Sequence, residues 1–230
     1  MMRRVAVVSA MHEELRALLA DLAEPRCERV AGRDFHFGLI DGRPVVLVLS
    51  GIGKVAAAAT TALLLDRFEV DALLFTGVAG GLGHGVAVGH VVLARELLQH
   101  DLDASPIFPR YEVPRTGRSR FAADAALTQA LAQGCTGVRV HEGLVVSGDR
   151  FVSTTRESDA LRAALPDALA VEMEGAAVAQ VCTDFARPFA VMRTVSDRAD
   201  DNAHVDFGRF VEEVAAQITH RVVRRALAVL

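Results

Sequence analysis

The 230-residue chain has no tryptophan, a single tyrosine at Tyr111, and three scattered cysteines, Cys27, Cys135 and Cys182. An odd cysteine count without CxxC spacing argues against a disulfide framework and a structural zinc, and fits a reducing compartment. The eight histidines form no HExxH or comparable ligand pair, so no metal is expected. No apolar stretch is both long enough and free enough of charge to span a bilayer. Met1-Met-Arg-Arg4 leads into a short apolar run and then to Glu13 and Glu14, which is not the pattern of a signal peptide. A soluble, cytoplasmic protein with no membrane partner is expected. Positive charge is not in excess either: 25 Lys+Arg stand against 29 Asp+Glu, a formal net charge of -4, which argues against a nucleic-acid surface. The basic run His220 to Arg225 falls in the last turns of an expected helix, where it suits the negative end of the dipole. Internal repeats, low-complexity segments and linkers are absent, so residues 1–230 are expected to form one domain.

What remains is a globular composition, 51% hydrophobic and 23% charged, in a chain long enough to bury a sizeable core. Arg4 to Val8 reads as a buried strand, followed by a helix from Ser9 to about Leu22. Phe35 to Ile40 and Pro44 to Leu49 flank Asp41-Gly42-Arg43 as a hairpin. Ser50-Gly-Ile-Gly-Lys54 opens an alanine-rich helix reaching about Phe68. Ala72 to Phe75 is a strand ending in the glycine-rich Thr76 to Gly81, and Val88 to Leu98 is extended. The segment His100 to Phe121, with three prolines, several arginines, Phe108 and Tyr111, reads as a long loop of the kind that is usually functional. A helix near Ala123 to Gln133, a strand Val138 to Val146 and a final helix from about Phe207 to Leu230 complete an α/β sandwich around a mixed sheet.

The most informative stretch is Val171-Glu-Met-Glu174, where an apolar strand-like run ends in two carboxylates and a small-residue helix begins. Phe189 to Val195 repeats the plan and ends in Ser196-Asp197. Acids on two neighbouring strand ends suggest a site at the carboxyl edge of the sheet; solvated loop acids are the simpler alternative. Three glycine-rich turns, Ser50 to Gly53, Gly77 to Gly81 and Ser147-Gly148, could let backbone approach a ligand or could be tight turns only. None matches GxxxxGK[ST], and Gly77 to Gly81 is a loose relative of GxGxxG. Glu13 and Glu14 can favour a helix dipole or supply a base. Carboxylates near 14, at 174 and at 197 suit glycosyl cleavage, which needs a base for water, an acid for the leaving group and negative charge beside an oxocarbenium ion. A first-strand loop meant for phosphate would carry arginines or backbone amides, not glutamates.

These segments resemble the 5′-methylthioadenosine/S-adenosylhomocysteine nucleosidases, within the nucleoside phosphorylase superfamily. The resemblance rests on Ala10 to Glu14, Ser50 to Ala58, Thr76 to Leu82, Val88-Gly-His, Ser147 to Phe151, Val171 to Glu174, Arg193 to Asp197 and His204 to Phe207, in order along nearly the whole chain. It implies a three-layer α/β/α sandwich around a mixed, partly barrel-like central sheet, a homodimer, no metal and no cofactor. The implied reaction is irreversible hydrolysis of the N-glycosidic bond of a 5′-substituted adenosine, with a nucleoside and water as the only small-molecule partners. By the match, Glu14 would orient or deprotonate the water and Arg193 would sit beside it. Asp197, helped by Ser196, would protonate purine N7. Glu174 would bind the ribose hydroxyls over Met173, with Glu172 also contacting substrate. Phe151 would stack on the base, the backbone of Val152 would read its edge, and Val78, Ala79 and Gly80 would line the site. Met11, Ile52 and Phe207 would surround the sugar and 5′ group. The loop's own apolar residues, Phe108 and Tyr111 among them, further suggest that it closes the 5′ end, over its own site or across a dimer interface.

Three departures stand out. His12 replaces an acidic residue, Val78 replaces a common serine, and Ala104 to Arg115 is unlike the family's apolar lid, which leaves the 5′ substituent open. Futalosine-type hydrolysis is the near alternative. A phosphorylase conflicts with the glutamates, a non-catalytic binder has no need for all three acids, and a nucleotide-dependent oxidoreductase lacks the turn and ribose-binding acid it requires.

Overall fold

The molecule, described by a computed structural model over residues 4–200 and 214–230, is organised by strands buried on both faces. In β1 (Val5–Ser9), Ala6 and Val8 enter one apolar cluster while Val5 and Val7 enter another. A continuous apolar run is what a parallel strand covered on both sides requires, and β1 pairs in parallel with both β4 (Arg43–Leu49) and β5 (Ala72–Gly81). Helices α2 (Lys54–Arg67) and α5 (Gly175–Asp184) pack together and supply Leu64, Val178 and Cys182 to the first cluster. Helices α1 (His12–Ala20), α3 (Ala125–Gly134) and α6 (Ala216–Val229) form the opposite layer, with Leu15, Leu131 and Val222 in the second cluster. The expected three layers are present.

Half of the sheet closes on itself. β5 pairs with β10 (Phe189–Asp197), β10 with β6 (Val91–Gln99), β6 with β8 (Val140–Ser147), and β8 with β9 (Ala168–Glu172); β9 returns to β5 through Gly80–Val171 and Gly81–Ala170. The result is a five-stranded barrel with an open wing of β1, β4, β3 (Arg33–Ile40) and β2 (Ala23–Val30). The short β7 (Arg120–Ala122) adds to β6. The hairpin at Asp41-Gly42 forms as its sequence signals, with both residues at positive φ (49° and 80°).

Several expectations need correction. The acid-bearing strands β9 and β10 are not neighbours; they flank β5 on either side, β10 parallel and β9 antiparallel to it. The acids therefore converge because a barrel curls oppositely directed strands together, not because they share one carboxyl edge. The glycine-rich run Gly77 to Gly81 is not a turn but the second half of β5. Its glycines serve a close crossing: a Cβ on Gly77 would overlap the Arg193 guanidinium, and one on Gly80 would come within 2.9 Å of Ala199 Cβ. Three elements had no expectation, among them β7, which lies at the end of the segment His100 to Phe121 read as a loop. β2 is an exposed edge strand containing Pro25, with no apolar alternation to announce it. Helix α4 (Thr155–Ala164), capped by Thr154, buries only Ser158, so it carries no apolar stripe. The final helix is described from Ala216; the expected start at Phe207 lies outside the described residues.

Candidate active site

A cavity of about 440 Å³ opens where β1, β5, β9 and β10 converge. It is lined by Ala10 and Met11 after β1, Glu14 on α1, Ile52 before α2, Val78, Ala79 and Gly80 on β5, Phe151 after β8, Val171 to Glu174 at the end of β9, and Arg193, Ser196 and Asp197 on β10. The buried charged side chains among the described residues are Glu14, Glu172, Glu174, Asp197 and Arg193, and all of them line this cavity. The cavity wall thus carries four buried carboxylates and a single buried guanidinium, which lies against Glu172 and Glu174. A buried carboxylate without full compensation holds its proton more tightly.

Arg193 is held from three sides. Its Nη2 donates to Glu172 Oε2 and lies 3.7 Å from Glu174 Oε2, and its guanidinium carbon stacks 4.2 Å from the centre of the Phe75 ring. Glu172 also accepts from Ser147 Oγ, from the Glu174 amide (3.1 Å) and from the Gly175 amide (2.8 Å), at the start of α5. Glu172 lines the cavity, but its oxygens are already committed to protein donors. Glu172 thus stands on the cavity wall where the sequence reading put it, and at the same time supports Arg193 and the α5 N-terminus.

Glu14 is fully buried; Oε2 accepts from the Met11 amide at 3.3 Å, whereas Oε1 has no hydrogen-bond partner. Burial pushes its carboxyl up to about 7, against the opposing pull of Arg193 and the Met11 amide. Glu13, its neighbour, is half-buried and is not part of the cavity wall. Glu174 accepts from the Gly53 amide at 2.9 Å. Burial, then the charge of Glu172, pushes it up to about 7, with Arg193 opposing. On the other wall, Asp197 Oδ2 accepts from Ser196 Oγ and Oδ1 from the Ala199 amide, both at 2.8 Å.

The remaining expected residues divide. Met173 and a partly exposed Phe151 line the cavity, with Met11, Ile52 and Val78. Val152 is buried behind the wall with Leu82, Leu98 and Val146. Phe108 and Tyr111 do not line the cavity of their own chain: Tyr111 packs against that same cluster and under Arg110, whose guanidinium is 4.7 Å from its ring. The ring is drawn into the core by its own apolar contacts, so a lid over the same chain's cavity is not what these residues form. Phe207 lies outside the described residues. The sequence reading passed over Ala10 and Val171 as wall residues, and Phe75 and Ser147 as supports. Ala10, Val171 and Ser147 stand in motifs already singled out, Ala10 to Glu14, Val171 to Glu174 and Ser147 to Phe151; Phe75 looks like any other core residue of an apolar strand. Among the described residues no group of three or more His, Cys, Asp or Glu side chains could hold a metal ion, and no helix is long and apolar enough to cross a membrane.

A barrel closed by β5 and β9, with buried acids on β9 and β10 facing a glycine-lined β5, defines a class. The family model described as the phosphorylase superfamily matches residues 4–228. Within that superfamily the chain is 40% identical over 225 residues to the 5′-methylthioadenosine/S-adenosylhomocysteine nucleosidase of Bacillus subtilis (strain 168), covering 96% of this chain and 97% of the relative. It superposes with TM-score 0.95 at 37% identity, over the full length of both chains, on the nucleosidase of that name from Neisseria meningitidis in complex with methylthio-immucillin-A. A futalosine hydrolase mutant of Helicobacter pylori strain 26695 matches with TM-score 0.93 at 29% identity, over 99% of this chain and 100% of the other. The chain belongs to the 5′-methylthioadenosine/S-adenosylhomocysteine nucleosidase family.

Proposed function

We propose that this protein hydrolyses the N-glycosidic bond of 5′-methylthioadenosine and S-adenosylhomocysteine, releasing adenine and the ribose thioether. The observation that carries the reading is the charge pattern of the cavity. Arg193, its one buried cation among the described residues, is already paired with Glu172. A phosphate dianion would have to enter among Glu14, Glu174 and Asp197 without a free cation to receive it. Water carries no such penalty, and the unpartnered Glu14 Oε1 is an acceptor to orient it.

The roles follow from chemistry. Glu14 takes a proton from water as its oxygen bonds to C1′. The C1′–N9 bond breaks, its electron pair passes into the purine, and Asp197 delivers a proton to N7 with Ser196 holding the far carboxylate oxygen. Glu174 accepts from the ribose hydroxyls and stabilises the positive charge that builds on the sugar. A group poised near 7 suits a general base at neutral pH, which is where burial holds Glu14. Phe151 stacks on the adenine and the Val152 backbone reads its edge. The enzyme works as one domain of 230 residues in the cytoplasm, serving methionine salvage, without a cofactor.

The protein acts as a homodimer. Ile52, Val55, Ile107 and Phe151 are exposed, and the segments that carry them adjoin through the Lys54–Asp101 ion pair and the Lys54–Asp149 hydrogen bond. A second copy would cover this apolar rim and bring its Phe108 to the 5′ end of the cavity. Sedimentation velocity should give a dimer, and a monomer at micromolar concentration would remove this part. A bulkier 5′ group, as in futalosine, requires the same chemistry. Base release from methylthioadenosine, S-adenosylhomocysteine, 5′-deoxyadenosine, aminodeoxyfutalosine and inosine decides the substrate. Preference for the two adenosine thioethers is expected; preference for the futalosine, or release from none, would overturn the assignment.

A further inference from the structure

Lys54 is the only lysine of the chain, against 24 arginines. It stands beside the cavity without lining it. Its Nζ, largely shielded from solvent, donates to Asp101 Oδ1 at 2.6 Å and Gln99 Oε1 at 3.2 Å, and lies 3.9 Å from Asp149 Oδ2. Its backbone amide donates to Asp149 Oδ1 at 2.7 Å, and the Asp149 amide donates to Asp101 Oδ2 at 2.9 Å. These bonds close a ring that joins the start of α2, the end of β6 and the loop after β8. The three residues are 47, 48 and 95 positions apart in the chain, so nothing local holds them together.

The ring borders the site on two sides. Gly53, next to Lys54, gives its amide to Glu174 Oε1 at 2.9 Å. It does so at φ 94°, a conformation favoured only for glycine, and a Cβ there would lie 3.1 Å from Asp149 Oδ1. Ile52 lines the cavity one residue earlier, and Phe151 lines it two residues after Asp149. The ring therefore fixes the donor to Glu174 and the spacing of two cavity walls. A compact ammonium with three donors at one point suits three converging oxygens, where a planar guanidinium fork would not.

We propose that Lys54, Asp101 and Asp149 are positioning residues for the glycosidic cleavage, holding the Gly53 amide on Glu174 and setting Ile52 against Phe151. This rests on the nucleosidase reading given above. The charged and titratable groups involved are Glu172, Arg193 and Glu14 around Glu174, and His100, Asp101 and Asp149 around Lys54. The Gly53 amide favours the ionised form of Glu174, so losing it raises that group further.

The test uses full-length Lys54→Met, Asp149→Ala and Asp149→Asn. Adenine release from methylthioadenosine is followed across pH, alongside the exchange rate of the Gly53 amide without substrate. Lys54→Met should lower kcat/KM by about tenfold or more, the scale of a lost hydrogen bond to a charged group. It should also move the acid limb of kcat/KM upward by roughly one pH unit, and speed Gly53 exchange at least about tenfold. Asp149→Asn keeps the oxygen that accepts from the Lys54 amide and should retain more activity than Asp149→Ala. A Lys54→Met protein with unchanged Gly53 exchange, or with activity lost only in proportion to folded protein and the pH profile unmoved, would overturn the proposal. A wild-type protein that releases no base from any nucleoside would sink the nucleosidase reading instead, and Gly53 exchange would still decide whether the ring holds that amide.

Discussion

Replacing Glu14 with glutamine should make the protein more stable while it destroys activity. Glu14 is fully buried, one of its oxygens has no partner, and burial lifts its carboxyl from 4.5 to about 7. In the unfolded chain the group ionises near pH 4.5, so between there and about 7 the folded state binds more protons than the unfolded one. Stability from this group is fully present below about pH 4.5 and is lost as pH rises through about 7. At about 1.4 kcal/mol per pH unit, the rise amounts to about 3 kcal/mol of burial cost carried by the wild type at about pH 8. The glutamine side chain of Glu14→Gln is neutral at every pH and escapes that cost. For a chain of this length the gain corresponds to roughly 6–12 °C in melting temperature. The assay is calorimetry of both proteins at equal concentration from about pH 5 to 8, with adenine release measured on the same samples. The difference in melting temperature should be small at the acid end and grow towards the alkaline end, and Glu14→Gln should release no adenine at any of these pH values. Wild-type kcat/KM should fall as pH drops through about 7, where the base becomes protonated. A stability difference that is flat with pH, or Glu14→Gln activity near wild type, would refute the reasoning.

Three further outcomes are expected. Asp197→Asn keeps the acceptor for the Ala199 amide but has no proton to give, so turnover should fall by about 10²-fold or more with nucleoside binding retained; near-normal turnover would remove its assignment as the acid. Glu174→Gln should weaken both affinity and turnover, and 2′-deoxy substrates should be poor with the wild type, whereas Glu14→Gln should leave affinity largely intact; identical behaviour of the two variants in titrations with both substrates would dissolve the division of roles. In Gly77→Ala the new methyl would overlap the Arg193 guanidinium and come to 3.3 Å from Glu14 Oε1, so kcat should fall by about 10-fold or more in a folded protein; full activity would mean that the Gly77–Arg193 crossing is unimportant.

Much of the site is legible in the sequence because its acids stand at the ends of apolar runs, where a carboxylate is out of place unless it lines a pocket. Glu174 and Asp197 stand out for this reason, Glu14 only by its place in the first turn of the helix that follows the first strand, and the cavity brings the three together. The hairpin at Asp41-Gly42 is legible because a turn with φ above zero has few residue solutions. The glycine run of β5 misleads for the same physical reason that it exists. Glycine usually marks a turn, but here it clears space for a buried arginine arriving from β10. Glu172 looks equivalent to Glu174 by spacing, and both line the cavity; only the positions of Arg193 and Ser147 show that Glu172 also anchors the buried arginine. Strand β2 is silent in the sequence because an edge strand in solvent needs no apolar face.

The central claim is that water, not phosphate, takes the sugar. The most direct measurement incubates the protein with methylthioadenosine in concentrated phosphate and follows the products by phosphorus NMR and chromatography. Adenine and free methylthioribose should form in equal amounts, with no new phosphorus resonance, because Glu14, Glu174 and Asp197 line the cavity and its buried arginine is committed to Glu172. A methylthioribose 1-phosphate signal growing in step with adenine would contradict that claim.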